Sequence, residues 1–255
     1  MREESAGSPF IDLAGGVDNF NKIFNQYMEF IRKFDFEVSR DVYVFCLSEY
    51  DWEKQPDGLL SMWRGYGANG NGVALVFNTS FLNLQNGSPL LIAKVRYGSA
   101  EARAEWIKNS FMKCLAILNT NTIHSQTIWM TAWHMFRLTL FHSLSAKHPG
   151  FREENEWRIV YLSDLDTQKL LTGQRSYLIR GNTVQPRLKF PIEPLKIEPR
   201  QEWTFNSILD RIVLGPTHSS SAFTMSSVRQ MLECIGRPEF ASKVWASRIP
   251  YRPIG

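Results

Sequence analysis

The chain has 255 residues, 44% of them hydrophobic and 21% charged. These values are close to the average for folded soluble proteins, so disordered, collagen-like and fibrous classes are excluded. A net charge of +4, spread along the chain without a block of Lys or Arg, permits a nucleic-acid partner without indicating one.

A chain of this length buries roughly 70–75% of its unfolded surface, so it needs neither disulfides nor a structural metal to hold a core. One domain over residues 1–255 is expected. Cys46, Cys114 and Cys234 are far apart and form no Cys-x-x-Cys pair or Cys/His cluster. No zinc site is therefore expected, and reduced thiols in a reducing compartment is the simple reading. Cys46 lies in an apolar run and reads as a small buried hydrophobe. Every long apolar stretch is broken by Lys, Arg, His or Asn, and Met1–Ser5 leads into no signal-peptide core. A cytoplasmic protein without membrane contact is expected.

Residues 1–17, with Gly, Ser and Pro, read as an irregular lead-in. Asp18 then caps a helix with Phe20, Ile23, Phe24, Tyr27, Phe30 and Ile31 at helical spacing. Val42–Ser48 is β-branched and aromatic and predicts a buried strand. A short helix over Leu59–Tyr66, a Gly-rich turn and a strand over Val73–Phe77 follow. Leu90–Tyr97 is a further strand, and residues 101–118 and 123–146 are amphipathic helices, the second stopped by His148-Pro149-Gly150. Strands are expected at Glu156–Leu162, Ser176–Arg180, Arg187–Phe190 and Arg211–Leu214. A helix over Ser221–Cys234 precedes a last strand within Lys243–Tyr251. Long gaps and irregular strand order predict α+β rather than a doubly wound parallel sheet.

Two segments carry candidate chemistry. Gly65-Tyr66-Gly67-Ala68-Asn69-Gly70 matches G-x-G-x-x-G, but the predicted helix comes before it and the strand after it. A dinucleotide fingerprint needs the reverse order, so that reading fails on context. The remaining readings of Gly67–Gly72 are a tight connection needing positive φ angles, or a backbone loop along which a flat ligand lies. Trp63-Arg64 just before it and the stacking face of Tyr66 point to the second.

In the other segment, a strand beginning near Glu154 places Glu154, Glu156 and Arg158 on one face, with the carboxylates about 6.8 Å apart. Asn155, Trp157, Ile159 and Tyr161 then share the other face, which reads as the core side. The acidic face reads as a solvated edge, a structural ion pair or a site. The five histidines are scattered; His134 and His142, eight apart on one helix, read as packing residues rather than metal ligands. No nucleophile-elbow pattern surrounds Ser48, Ser61 or Ser219–Ser221.

The ordered set of motifs resembles the bacterial family called domain of unknown function 2971. The set runs from Phe45-Cys46-Leu47-Ser48 through Met62-Trp63-Arg64-Gly65-Tyr66 and Gly70-Asn71-Gly72-Val73 to Lys147-His148 and Glu154-Asn155-Glu156-Trp157-Arg158. It closes with Ile212–Pro216 and Ser247–Arg252, so the family-like region spans 42–252.

That family is in turn similar to ADP-ribosyltransferases that act on NAD. The resemblance implies a mainly antiparallel sheet core with flanking helices, and NAD consumed as a substrate in a bacterial toxin or phage-defence setting. Carried over by position, Glu156 is the carboxylate facing the ribose, and Glu154 is a second acid or orienter. Tyr66 or Trp63 stacks on nicotinamide, Ser48 supports the site and Arg64 meets a phosphate. Gly67 and Gly70 let the dinucleotide approach closely. The acceptor would be a nucleic acid or a protein.

Relatives usually open with a strand carrying a His-Tyr-Thr-like motif, whereas here the first histidine is His124. Either the true start lies upstream, or the chain is a shortened relative that has lost part of the pocket. The rival expectation is a non-catalytic nucleic-acid- or protein-binding module.

Overall fold

The computed structural model describes residues 8–34, 41–79, 88–119, 123–189, 204–216 and 221–251. In chain order the first elements are α1 (Pro9–Leu13), α2 (Val17–Lys33), β1 (Val42–Ser48), α3 (Leu60–Gly65) and β2 (Val73–Phe77). Then come β3 (Leu90–Lys94), β4 (Arg96–Tyr97), α4 (Ala100–Asn119), α5 (Ser125–Ser145), β5 (Ala146–Lys147) and β6 (Glu156–Leu162). The last third holds β7 (Arg175–Arg180), β8 (Thr183–Leu188), α6 (Phe205–Ile208), β9 (Leu209–Leu214), α7 (Ser221–Cys234) and β10 (Val244–Ala246).

The mixture of helices and small, partly antiparallel sheets is α+β, as the pattern predicts. Four of the strands and helices, β1, β2, β6 and α7, have the expected bounds. Other expectations are corrected. The lead-in is not irregular throughout, because Pro9 opens α1 at the position where a missing N–H costs nothing. Asp18 does not cap α2; Gly16 precedes the helix and Asp18 lies in its first turn, where its charge suits the helix dipole. Leu90–Tyr97 is two strands, parted at Val95, whose N–H donates to the Glu156 carbonyl at 2.8 Å.

Helix α5 stops at Ser145, before His148-Pro149-Gly150, because Ala146 turns extended and pairs with Arg96. Pro149 instead opens a 3-10 turn over Pro149–Glu154, with the His148 ring accepting from the Gly150 N–H at 3.1 Å. β8 lies earlier than Arg187–Phe190 and contains Pro186, which a two-stranded sheet tolerates at an edge. The final strand is confined to Val244–Ala246.

The chain divides into two compact units. One comprises Met1–Leu47, Gly87–Gly173 and Tyr177–Arg187; the other comprises Ser48–Asn86, Gln174–Ser176 and Leu188–Gly255. Within the first, β6 is the middle strand of the order β1-β6-β3, antiparallel to β3 with Ile92 opposite Ile159. Phe136 and Leu140 of α5 pack on Val160 and Leu162. Residues two apart on a strand share a face, so the face bearing Glu156 and Arg158 is the one beneath α5. The core side therefore includes the face of Glu156 and Arg158, and not only the opposite face expected to be the core side. Tyr161 on the opposite face is also buried, its ring near Tyr43. A neighbouring cluster, one turn earlier along α5, gathers Ile23, Leu115, Ala132 and Met135, with α1, α2 and α4 packed around it.

The second unit is built on the sheet β10-β9-β2. Val213 is opposite Ala74 in the antiparallel pair and Trp245 in the parallel one. Leu232 of α7 and Phe240 cover Leu209, Ile212 and Val244. Among the described residues, no helix is long and apolar enough to cross a membrane.

Leu115 is fully buried while Ile117, two residues on, is 67% exposed. Leu115→Ala is expected to cost about 2–5 kcal/mol in chemical denaturation, and Ile117→Ala about 0.5 kcal/mol or less. Equal losses would contradict the packing of α4 described above.

Candidate active site

Glu154 and Glu156 do not share a strand face, as the alternation predicted. Glu154 ends the 3-10 turn, and Asn155 takes a left-handed conformation (φ 41°) before β6 begins at Glu156. Asparagine tolerates that conformation better than most residues. The kink nevertheless brings both carboxylates to one cation. The Lys147 ammonium on β5 donates to Glu154 and, at 3.2 Å, to Glu156 Oε2. Arg158 grips Glu156 in a fork, Nε to Oε1 at 2.9 Å and a terminal nitrogen to Oε2 at 3.2 Å. Its other terminal nitrogen donates to the Leu144 carbonyl at 2.7 Å.

The backbone holds this cluster from behind. Tyr97 sits beside Lys147 in the parallel β4–β5 pair, and its hydroxyl accepts from the Glu156 N–H at 2.8 Å. The Lys147 ammonium lies 4.7 Å from the centre of the exposed Phe151 ring. Glu154 and Glu156 are both buried.

Burial by itself would raise the Glu156 pKa. Hydrogen bonds from Arg158, Cys46 and Lys147, with the Arg158 charge, outweigh it and hold the carboxyl at about 2. Glu156 is therefore an anion throughout the ordinary pH range. Lys147 is driven upward in pKa; burial opposes this and the two carboxylates overcome it.

Cys46 departs from the buried small hydrophobe expected of it, since the residue is exposed. Partial burial of its thiol, the hydrogen bond to Glu156 and the Glu156 charge push it up to about 11. A thiol so shifted is a neutral donor at pH 7 rather than a nucleophile.

The other assigned residues lie in the second unit. Trp63 is buried and its indole N–H donates to the Asp57 carbonyl at 3.0 Å. A Cβ on Gly67 would lie 2.8 Å from the Trp63 carbonyl oxygen, and one on Gly70 (φ 87°) 2.6 Å from that of Pro216. The space that makes these positions glycine is filled by the protein's own backbone. Tyr66, at 67% exposure, is the aromatic face of this loop open to solvent. Arg64 is exposed and lies 5.9 Å from the Tyr251 ring centre, and Ser48 is exposed at the end of β1. α3 precedes the G-x-G-x-x-G match and β2 follows it, as the context argument required.

Lys147, Tyr97 and Cys46 were not singled out for the cluster from sequence. The sequence signals were Lys147 just ahead of His148 and Cys46 within Phe45-Cys46-Leu47-Ser48, both in the motif set but given no role in the cluster. Asp57 was missed too; its carboxylate accepts from the Arg248 N–H and its carbonyl from the Ser247 hydroxyl, both at 2.8 Å. His142 is a packing residue, its Nε2 3.0 Å from the Ser110 hydroxyl, and burial followed by the Arg96 charge lowers its pKa. His218, Ser219 and Ser220 lie outside the described residues. Among the described residues, no group of three His, Cys, Asp or Glu side chains converges as a metal site would require.

A carboxylate with a depressed folded pKa stabilises the fold above its unfolded pKa, and the contribution disappears as pH falls through the folded value. For Glu156 that window runs from 4.5 down to about 2, with a contribution on the order of 3 kcal/mol. Asp166 acts in the same direction, its pKa lowered against burial by the Leu171 and Leu170 N–H groups. Denaturation at pH 7, 4 and 2.5 should show stability falling, with a shallower fall in Glu156→Gln. An unchanged slope in that variant would contradict the ionised cluster.

No curated protein and no solved structure matches the chain. Residues 62–159 match the model of a family described as protein of unknown function (DUF2971), a segment that begins one residue before Trp63 and ends one residue after Arg158.

Proposed function

We propose that this protein is an NAD-consuming ADP-ribosyltransferase-like enzyme in which Glu156 is the carboxylate that faces the ribose. Cleavage of the bond between nicotinamide and ribose sends the electron pair out with nicotinamide and leaves positive charge on the sugar. A carboxylate that stays ionised stabilises that charge, as in glycoside cleavage.

The observation that carries this reading is the buried Glu156 carboxylate fixed in position by Arg158 and Lys147, whose hydrogen bonds favour its ionised form. Preorganisation of this kind is what electrostatic stabilisation of a transition state requires. The neutral Cys46 thiol is a further hydrogen-bond donor to the same carboxylate. Lys147 and Arg158 are positioning residues here, and Glu154 holds Lys147 in place.

A second reading, a non-catalytic binding module, is favoured by a different feature of the same group. Both Glu156 oxygens already accept hydrogen bonds from cations. A purely structural network would have this form too.

Calorimetric titration of NAD, combined with chromatographic detection of free nicotinamide, separates the two. The enzyme reading predicts saturable NAD binding, slow release of nicotinamide, and a loss of roughly 10²–10³-fold in turnover for Glu156→Gln with binding retained. Absence of NAD binding by a sample with a cooperative melting transition would reject it. Salt-sensitive association with nucleic acid, indifferent to Glu156→Gln, would then support the second reading.

A further inference from the structure

A cavity of about 650 Å³ opens in the first unit between α4, α5 and the β3–β6 pair. Protein interiors hold few voids larger than a water molecule, whereas ligand pockets run from about 300 to 1,000 Å³. Its walls include Leu91, Leu118, Leu138 and Val160. Its other lining side chains include Ile117, Met130 and Phe141, all exposed.

The hydroxyls along the wall are already spent. Thr127 donates to the His124 carbonyl at 2.8 Å, Thr131 to Thr127 at 2.8 Å, and Ser145 to Phe141 at 2.6 Å. Each turns back on its own helix and leaves the lining apolar.

Two polar side chains on the wall retain capacity, and they sit three residues apart on one face of α5. Arg137 uses one terminal nitrogen on Asp164, at 2.6 Å, out of five N–H donors. His134 makes no hydrogen bond or ion pair among the described residues. An apolar chamber with a guanidinium fork and an imidazole on one side fits a ligand with an apolar chain and a planar anionic head.

We infer that this cavity binds a single-chain carboxylate amphiphile, a fatty acid of medium length, with its chain in the apolar chamber and its carboxylate on Arg137 and His134. The guanidinium fork matches the two oxygens of a carboxylate. The cavity's lining includes none of Cys46, Lys147, Glu154, Glu156 or Arg158, and the inference does not depend on the function proposed for that cluster.

Titration with dodecanoate below its micellar concentration tests this, with dodecan-1-ol as a probe of equal length and no charge. Dodecanoate is expected to bind one to one, at least about tenfold more tightly than the alcohol. Arg137→Gln should erase that difference and leave the alcohol unchanged. Met130→Glu, at an exposed position, should weaken both. The inference is overturned by equal affinity for acid and alcohol, by a preference that survives Arg137→Gln, or by no binding to a folded sample. Association with dioleoylphosphatidylglycerol vesicles without uptake of free dodecanoate would also overturn it, by placing the lipid preference on the surface.

Discussion

A carboxylate taken out of water is costly, by several kcal/mol even after relaxation, unless cations and hydrogen bonds replace its hydration. Glu156 meets that constraint through Arg158, two positions along the same strand, and Lys147, delivered by the short parallel pair that follows α5. Each partner carries a second attachment. Arg158 holds the Leu144 carbonyl near the end of α5, and Tyr97 beside Lys147 accepts the Glu156 N–H. The break after α5, the 3-10 turn and the start of β6 are thus joined by one set of charge-assisted bonds. Removing one partner would leave an uncompensated buried charge, so the arrangement specifies local geometry whatever chemistry it supports.

Strands with dense β-branched or aromatic character were legible from sequence because those residues favour a pleated backbone, although no residue of β1, expected to be a buried strand, or of β2 is fully buried. Val42–Ser48, Val73–Phe77 and Glu156–Leu162 keep their predicted bounds. On β6 the common face of Glu156 and Arg158 was legible, whereas the place of Glu154 and the burial of that face were not. Alternation from Glu154 assumed one continuous strand, whereas Asn155 in a left-handed conformation shifts the start to Glu156. Glu156 and Arg158 then share a face with Val160 and Leu162, beneath α5, although both are charged. Residue type alone left that side as a solvated edge, a structural ion pair or a site. Arg158 on the same strand and Lys147 from another together make the charge tolerable, and the pairing that places Lys147 beside Tyr97, fifty residues apart in sequence, leaves no local signal.

The Gly-rich loop shows the opposite case. Its composition announced unusual backbone, and Ala68, Asn69 and Gly70 do take successive positive φ angles. The reason lies in tertiary packing. The Gly72 N–H donates to the Gly67 carbonyl at 2.7 Å, the Gly70 N–H to that of Trp63 at 3.1 Å, and the Gly215 N–H to that of Gly72 at 2.9 Å. Sequence identified the turn, and the structure shows the Trp63 indole and the Gly215-Pro216 backbone against which it packs. Among the two aromatic residues assigned to stacking, burial separates Trp63, a core residue, from Tyr66, an exposed one.

Everything proposed for Glu156 depends on its being an anion held between two cations. Carbon-13 NMR of glutamate-labelled protein, with the resonance assigned by its loss in Glu156→Gln, reads that state directly. The carboxyl shift should stay constant from pH 7 to pH 3 and begin to move only as pH nears 2. A titration midpoint near the ordinary 4.5 would show that the cluster is not formed in solution and would remove the basis for assigning it a function.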